Sequence, residues 1–360
     1  MEREMMEENM MGSNMMNMTS LGRDRLSWSE SIWNRIDQAV HEECQRTKVA
    51  SKFIPLCGPV MESVTTVQSD TVEVTPGIVM QGQVLEASRL FVEQTRTTGL
   101  NEIFVEFTLT QEQVEREEEW MTAVTLATRA ANLLSQAEDL LIFQGQKAME
   151  ERTLFTEQKV QHRNGPAGTG LLNASRIAEQ IIPVHAFSPE QLQDAEPPLR
   201  PGELRFGERT FGAVADGYSR LQNGTNLAQA HYGPYALVLR TEPHADTYSP
   251  LPVTLIMPAD RIKPLVMAGF YGTGTLPPLK GLLVSIGGNT MDLIMGADAV
   301  TEFLQIDPGR LYRFRVFERF ALRLKDPTSI IELDFRPYEG FTSGGPYGGY
   351  AEKKSTKGTK

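Results

Sequence analysis

The stretch HYGPYALVLRTEPHADTYSP, residues 231–250, gathers residue types that do chemistry: two of the chain's five histidines stand among Glu242, Asp246 and Ser249. A nucleophilic triad needs a hydroxyl or thiol, a base within hydrogen-bond reach and a third group that orients the base. Glu242, His244, Asp246, Tyr248 and Ser249 supply the letters, but they share one Pro-punctuated segment and no spacing fixes their geometry. Loops collect polar residues because their backbone must be solvated. A solvent-facing loop over 241–262 is the favoured reading, and a soluble hydrolase using 231–250 is its competitor. His41 and Cys44 fall at i, i+3 on a helix, which two metal ligands would suit, yet no further ligand follows at fixed spacing. GTGLLN at 168–173 lacks the third glycine of a dinucleotide fingerprint, and the chain has no P-loop, G-x-S-x-G, H-E-x-x-H or C-x-x-C motif.

The elements around these residues bound the class. At 360 residues, 40% hydrophobic and 22% charged, the composition is that of a globular protein with core enough for two domains. A net charge of -11 argues against a nucleic-acid footprint. Two cysteines, Cys44 and Cys57, exclude a disulfide scaffold, although one bridge between them stays open. No run approaches the roughly 20 apolar residues of a membrane span. Glutamates at positions 2, 4, 7 and 8 stand where a secretory signal carries positive charge, so a cytoplasmic protein is expected.

Residues 1–20 hold eight of sixteen methionines without helical or strand period, and 1–25 is expected to be a flexible arm. Ile32, Trp33, Ile36, Ala39 and Val40 then fall at helical spacing after a candidate N-cap, Ser29, giving a helix within 26–50. Residues 51–100 mix Val, Thr, Gly and Pro and suggest a long hairpin with little core. NEIFVEFTLT alternates as a half-buried strand and runs into Thr110–Gln113, the spacing of a capping box. Ala123, Leu126, Ala130, Leu133, Leu134, Ala137, Leu140 and Leu141 predict a helix over 119–147, which at 1.5 Å per residue spans roughly 40 Å. Helical turns around 174–182 and 212–222, a strand YALVL and a hairpin turning on Gly287-Gly288-Asn289 follow. In LYRFRVFERFALRLKDP the phase slips near Phe317, as at a bulge. A flexible tail is expected from 336.

Several of these segments, in this order, resemble the encapsulins, shell proteins that share the fold of tailed-phage major capsid proteins. The resemblance rests on Trp33-Asn-Arg-Ile36-Asp37, IFVEFTLTQEQVE, AEDLLIFQG (137–145), GPYALVL (233–239), LIMGAD (293–298) and FERFALRLKDPTSII (317–331). It implies an α+β, phage-capsid-like fold: extension loop 51–100, peripheral domain 101–160 with 305–335, and axial domain 161–304 with an insertion. It further implies an icosahedral homo-oligomer that encloses cargo, commonly a dye-decolorising peroxidase or a ferritin-like iron oxidase, through a C-terminal targeting peptide. Catalytic residues, cofactor, metal, nucleic acid and membrane have no place in it. The family positions that match for peptide binding are Trp33, Ile36, Asp37 and Val40, with Asp298, Val300 and Phe303. Near a symmetry axis, Glu242, His244, Asp246 and Tyr248 would form a pore loop whose repeated charges attract cations. A phage-type major capsid protein is the alternative within the same fold.

Overall fold

The alternation of NEIFVEFTLT is realised as the strand Asn101–Thr110, with Ile103, Val105 and Leu109 buried. In the computed structural model this strand lies beside Leu311–Leu324, antiparallel and in unbroken register from Leu311↔Thr110 to Phe320↔Asn101. The structure describes residues 21–75, 78–80, 83–86, 89–93, 96–163, 168–188, 206–224, 229–250 and 255–337. They fall into two compact units, one of 21–170 with 291–325 and one of 171–290 with 326–337. This division differs from the expected domains. Met291–Asp307 pairs along its length with Leu311–Leu324, so its hydrogen bonds place it in the first unit. Ile330–Arg336 pairs with Lys280–Ser285 and Ile181–His185 and goes to the second.

The first unit is a five-stranded sheet in the order Leu56–Cys57, Met291–Asp307, Leu311–Leu324, Asn101–Thr110, Gln161–Arg163. Two helices define its core: α1 (Glu30–Thr47) and α2 (Thr122–Gln144). Leu126 and Leu133 of α2 are only half-buried, whereas Ala127 and Ala131 are fully interior. Small side chains at those positions let a neighbouring helix approach closely. From Ala137 to Gln144 every α2 residue is buried, Glu138 and Asp139 included. The capping box forms as the spacing predicts, Thr110 accepting from Gln113 N–H while the Gln113 side chain accepts from Thr110 N–H. Ser29 occupies the N-cap of α1, but its hydroxyl meets Ser31 and leaves the helix backbone uncapped by that side chain.

Among the described residues between 66 and 99, strands pair as a ribbon, 66–68 with 97–99, 71–75 with 89–93 and 78–80 with 83–86. The expected slip near Phe317 is found on the opposite strand. Register shifts occur at Met295/Ala297 and Ala297/Val300, facing Phe320, Arg319 and Phe317, so extra residues on Met291–Asp307 absorb the phase change. The arm expected to extend through residue 25 is ordered from Leu21, and the rest of it, 1–20, lies outside the described residues, as does the tail from 338. Cys44 and Cys57 are both free, the first buried and the second exposed.

The second unit is a mixed sheet ordered Ile181–His185, Ile330–Arg336, Lys280–Ser285, Tyr235–Arg240, Gly269–Thr273. Tyr235 to Leu239 are all buried, which is why YALVL reads as an unbroken apolar run. Helix α3 (Gly207–Asn223) packs beside it, and a Cβ on Gly217 would stand 2.8 Å from Leu283 Cδ2, so the glycine sets the closeness of helix and sheet. The turn Gly287-Gly288-Asn289 uses φ of +76° at Gly288 and +59° at Asn289. It does not close a hairpin: Lys280–Ser285 belongs to this sheet and Met291–Asp307 to the other. The turn residues are those a hairpin needs, but partner choice is decided by burial elsewhere. Residues 181–182, expected in a helical turn, lie in a strand. Replacing Thr110 by Ala removes one half of the capping box and should lower stability by about 1 kcal/mol, read by denaturant titration of the full chain.

Candidate functional site

The residues expected to bind a peptide lie in the first unit, and most of their side chains are interior. Trp33 is 2% exposed, Ile36 and Val40 0% and Phe303 2%. Trp33 packs edge-on to Trp28 with centroids 5.0 Å apart, and Trp28 stacks on Phe314 at 5.3 Å. Phe314 in turn stacks on Phe107 at 5.3 Å and touches Phe303. This aromatic group fastens α1 to the sheet, the role that large buried rings serve in any core. Of the expected set, Asp298 and Val300 are the apolar face's accessible neighbours. Asp298 is exposed at the bulge, its carboxylate 3.9 Å from His41 Nδ1, and Val300 is half-buried.

Asp37 is committed to a partner that spacing did not reveal. Arg23 donates to both its carboxylate oxygens at 2.7 Å, a bidentate pair, and also donates to the Thr301 carbonyl at 2.7 Å. Its guanidinium lies 4.7 Å from the Trp33 ring centroid. Phe303 N–H donates to the Leu21 carbonyl at 3.0 Å, and Arg25 donates to the carbonyls of Phe303 and Leu304 at 2.8 Å. Residues 21–25 are thus held along the Met291–Asp307 strand by two arginines. The sequence signal was there, two arginines closing an otherwise acidic and Met-rich segment, but a charge 14 residues away carries no periodicity. His41 and Cys44 diverge: His41 is exposed and bonded to Gln45, whereas Cys44 is buried and its thiol is pushed up to about 11, first by burial.

In the second unit the expected irregular loop is two short helices, Thr241–Asp246 and Pro258–Ile262, with 251–254 outside the described residues. Asp246 Oδ2 accepts from Phe206 N–H and, at 2.8 Å, from Gly207 N–H. It thereby satisfies donors at the start of α3, where the helix dipole also favours a negative charge. Glu242 receives Arg240 Nε at 3.2 Å. His244 sits against Phe270, centroids 4.8 Å apart, and Tyr248 at 5.3 Å. Burial, and then the charge of Lys263, lowers its pKa below the ordinary imidazole value. A Cβ on Gly272 would stand 2.6 Å from His244 Nδ1, so a glycine is required beneath the ring. Tyr248 is 40% exposed. Of the triad letters, Asp246 is engaged in capping α3, Glu242 in an ion pair with Arg240 and His244 in packing against two rings. His231, from the same stretch, is buried and bonded to the Thr328 hydroxyl at 2.9 Å, pinning 229–234 to the turn before Ile330–Arg336.

Two sheet-based units, a long helix and three antiparallel strand pairs make up the described fold. A solved virus-like particle from Pyrococcus furiosus superposes with a TM-score of 0.53 at 15% identity, covering 85% of this chain and 100% of that one. The capsid of Myoviridae phage XM1 gives 0.51 at 12% identity, covering 79% and 90%. The fold is that of phage-capsid-like particles. Residues 18–182 match the family described as Encapsulating protein for peroxidase. A Type 1 encapsulin shell protein of Myxococcus xanthus is 26% identical over 317 residues, 87% of this chain and 96% of the relative. The chain is similar to encapsulin shell proteins over most of its length.

Arg23→Ala leaves Asp37 without its guanidinium partner and frees 21–25, and should cost about 1–3 kcal/mol in a denaturant titration. Arg23→Lys, which cannot make the bidentate pair, should recover only part of that loss.

Proposed function

We propose that the chain is a self-assembling subunit of a closed icosahedral shell in the cytoplasm that encloses a cargo enzyme and carries out no catalysis itself. The observation that carries the reading is the match to a shell protein across 96% of that relative's length, together with a capsid-like fold. The ribbon 66–99 supports it: Phe91 and Val92 are 44% and 49% exposed on it, surface that a neighbouring subunit would cover. The first unit would be the peripheral domain, the ribbon the extension loop and the second unit the axial domain. A phage-type capsid is the second reading, favoured by the XM1 likeness alone. Negative-stain microscopy of the purified chain should show closed particles of uniform size; small discrete oligomers would sink the proposal.

Cargo, a peroxidase by the family's description or a ferritin-like iron oxidase by the wider resemblance, would be captured through a terminal peptide beside α1. With Trp33, Ile36, Val40 and Phe303 in the interior and Asp37 paired to Arg23, these residues shape the face, while Asp298 and Val300 offer surface to the peptide. Asp298→Lys with Val300→Asp should leave particles intact and reduce cargo co-purification several-fold; undiminished loading would refute the assignment. Ile36→Asp, which buries a charge, should instead prevent folding of the unit.

The segment 241–248 is proposed to line a pore at a symmetry axis, Glu242, His244 and Tyr248 bearing on solutes while Asp246 holds α3 in place. Neutralising Glu242 and His244 together should slow cation uptake by loaded particles without changing their size, measured as the rate of iron loading. Equal rates would refute the pore role.

A further inference from the structure

The turn that leaves α1 holds charges that neither the peptide face nor the pore segment uses. Lys48, the C-cap residue of α1, is 6% exposed, and its ammonium contacts two carboxylates: Glu138 of α2 and Glu318 Oε2, the latter at 2.7 Å. Both glutamates are 0% exposed. Beside Glu138, Asp139 accepts Val49 N–H at 3.0 Å and Ala50 N–H at 2.9 Å, so its carboxylate is engaged by backbone donors.

One ammonium thus faces two carboxylates in a site closed to water, where an unneutralised charge is expensive. Glu138 Oε1 and Glu318 Oε1 are buried and have no hydrogen-bond partner. A carboxylic O–H between the two groups removes the surplus charge and supplies the missing donor. The other charges nearby are committed elsewhere. On α1, Glu43 is bonded to Arg46 and Asn132, and Cys44 is neutral, its thiol raised by burial. On the Met291–Asp307 strand Asp298 is exposed and faces His41, and on the Leu311 strand Arg319 donates to the carbonyls of Glu62 and Val64.

We propose that Glu138 and Glu318 share one proton at neutral pH, which makes the Lys48 seat a proton-dependent latch on the exit of α1. The electrostatics agree. Burial first, then the neighbouring Glu138 charge, raises Glu318 well above the carboxylate range despite the opposing pull of Lys48. Burial pushes Asp139 up to about 7. Burial works to lower Lys48, but Glu138 and Glu318 outweigh it and hold the ammonium charged.

The sign follows from proton linkage. A carboxyl raised in the folded state contributes stability that is complete below its unfolded pKa and is lost as pH rises through the folded one. For Asp139 that window runs from 3.8 to about 7; for Glu318 it begins at 4.5 and extends upward. Alkaline pH therefore loosens the latch.

Infrared spectroscopy of the full chain, at a pH above the value of about 7 of Asp139, tests the shared proton. The carbonyl stretch of an un-ionised carboxylic acid is expected and should vanish in Glu318→Gln. Absence of the band from the native chain, or its persistence in Glu318→Gln and Glu138→Gln alike, overturns the proposal. Should the variants fail to fold, the native chain's band decides the presence of the proton. Loosening is read separately by the emission of Trp28 and Trp33 in a Trp120→Phe background. A red shift on raising the pH that Glu318→Gln suppresses is expected; emission that ignores pH, or shifts equally in the variant, overturns the latch. None of these readouts depends on the shell assignment.

Discussion

The burial of Lys48 is the constraint on which the first unit turns. An ammonium cannot enter a protein interior without counter-charges, and here they come from two elements, Glu138 on α2 and Glu318 on the Leu311 strand. Satisfying one cation therefore fixes the end of α1 against helix and sheet together. Asp139 then takes the two amides that follow, Val49 and Ala50, which directs the chain through Ile54 to Leu56–Cys57, parallel to Leu293 and Ile294. The other end of α1 is held by Arg23 through Asp37 and the Thr301 carbonyl. Between two anchored cations the apolar side of the helix, Ile32, Trp33, Ile36 and Val40, supplies the larger share of the burial.

This anchoring also decides what the first unit leaves accessible. Helix α1 keeps its place by making its apolar residues part of the core. The stretch around Asp298 and Val300 stays accessible, where extra residues lift the strand out of regular pairing. The second unit follows the same logic: Asp246 stiffens its segment by holding the start of α3, so Glu242 and His244 stand on a helix rather than on a slack loop.

What the sequence made legible was local. The alternation of NEIFVEFTLT, the capping box at Thr110 and the 3.6-residue pattern of α1 and α2 each lie within one element, and each is realised. What it hid was pairing between distant residues. Arg23 finds Asp37 fourteen positions on, and Asp246 caps a helix that starts some forty positions before it. Lys48, Glu138 and Glu318 read as ordinary polar positions, because burial of a charge depends on partners from three separate elements. The turn at Gly287-Gly288-Asn289 shows the same limit, since its residues specify the bend and not the strand that each arm will join. The family resemblance named the fold correctly, while the burial of Trp33, Ile36, Val40 and Phe303 was visible only in three dimensions.

Hydrogen exchange of the full chain compared with Lys48→Met, followed peptide by peptide, tests the central anchoring directly. The methionine keeps the apolar stem and removes the cation, leaving Glu138 and Glu318 without a counter-charge. The account predicts that amide protection falls through α1 and residues 49–54 while α3 and its sheet keep theirs. Protection of α1 that is unchanged, or a loss spread evenly over both units, would contradict it.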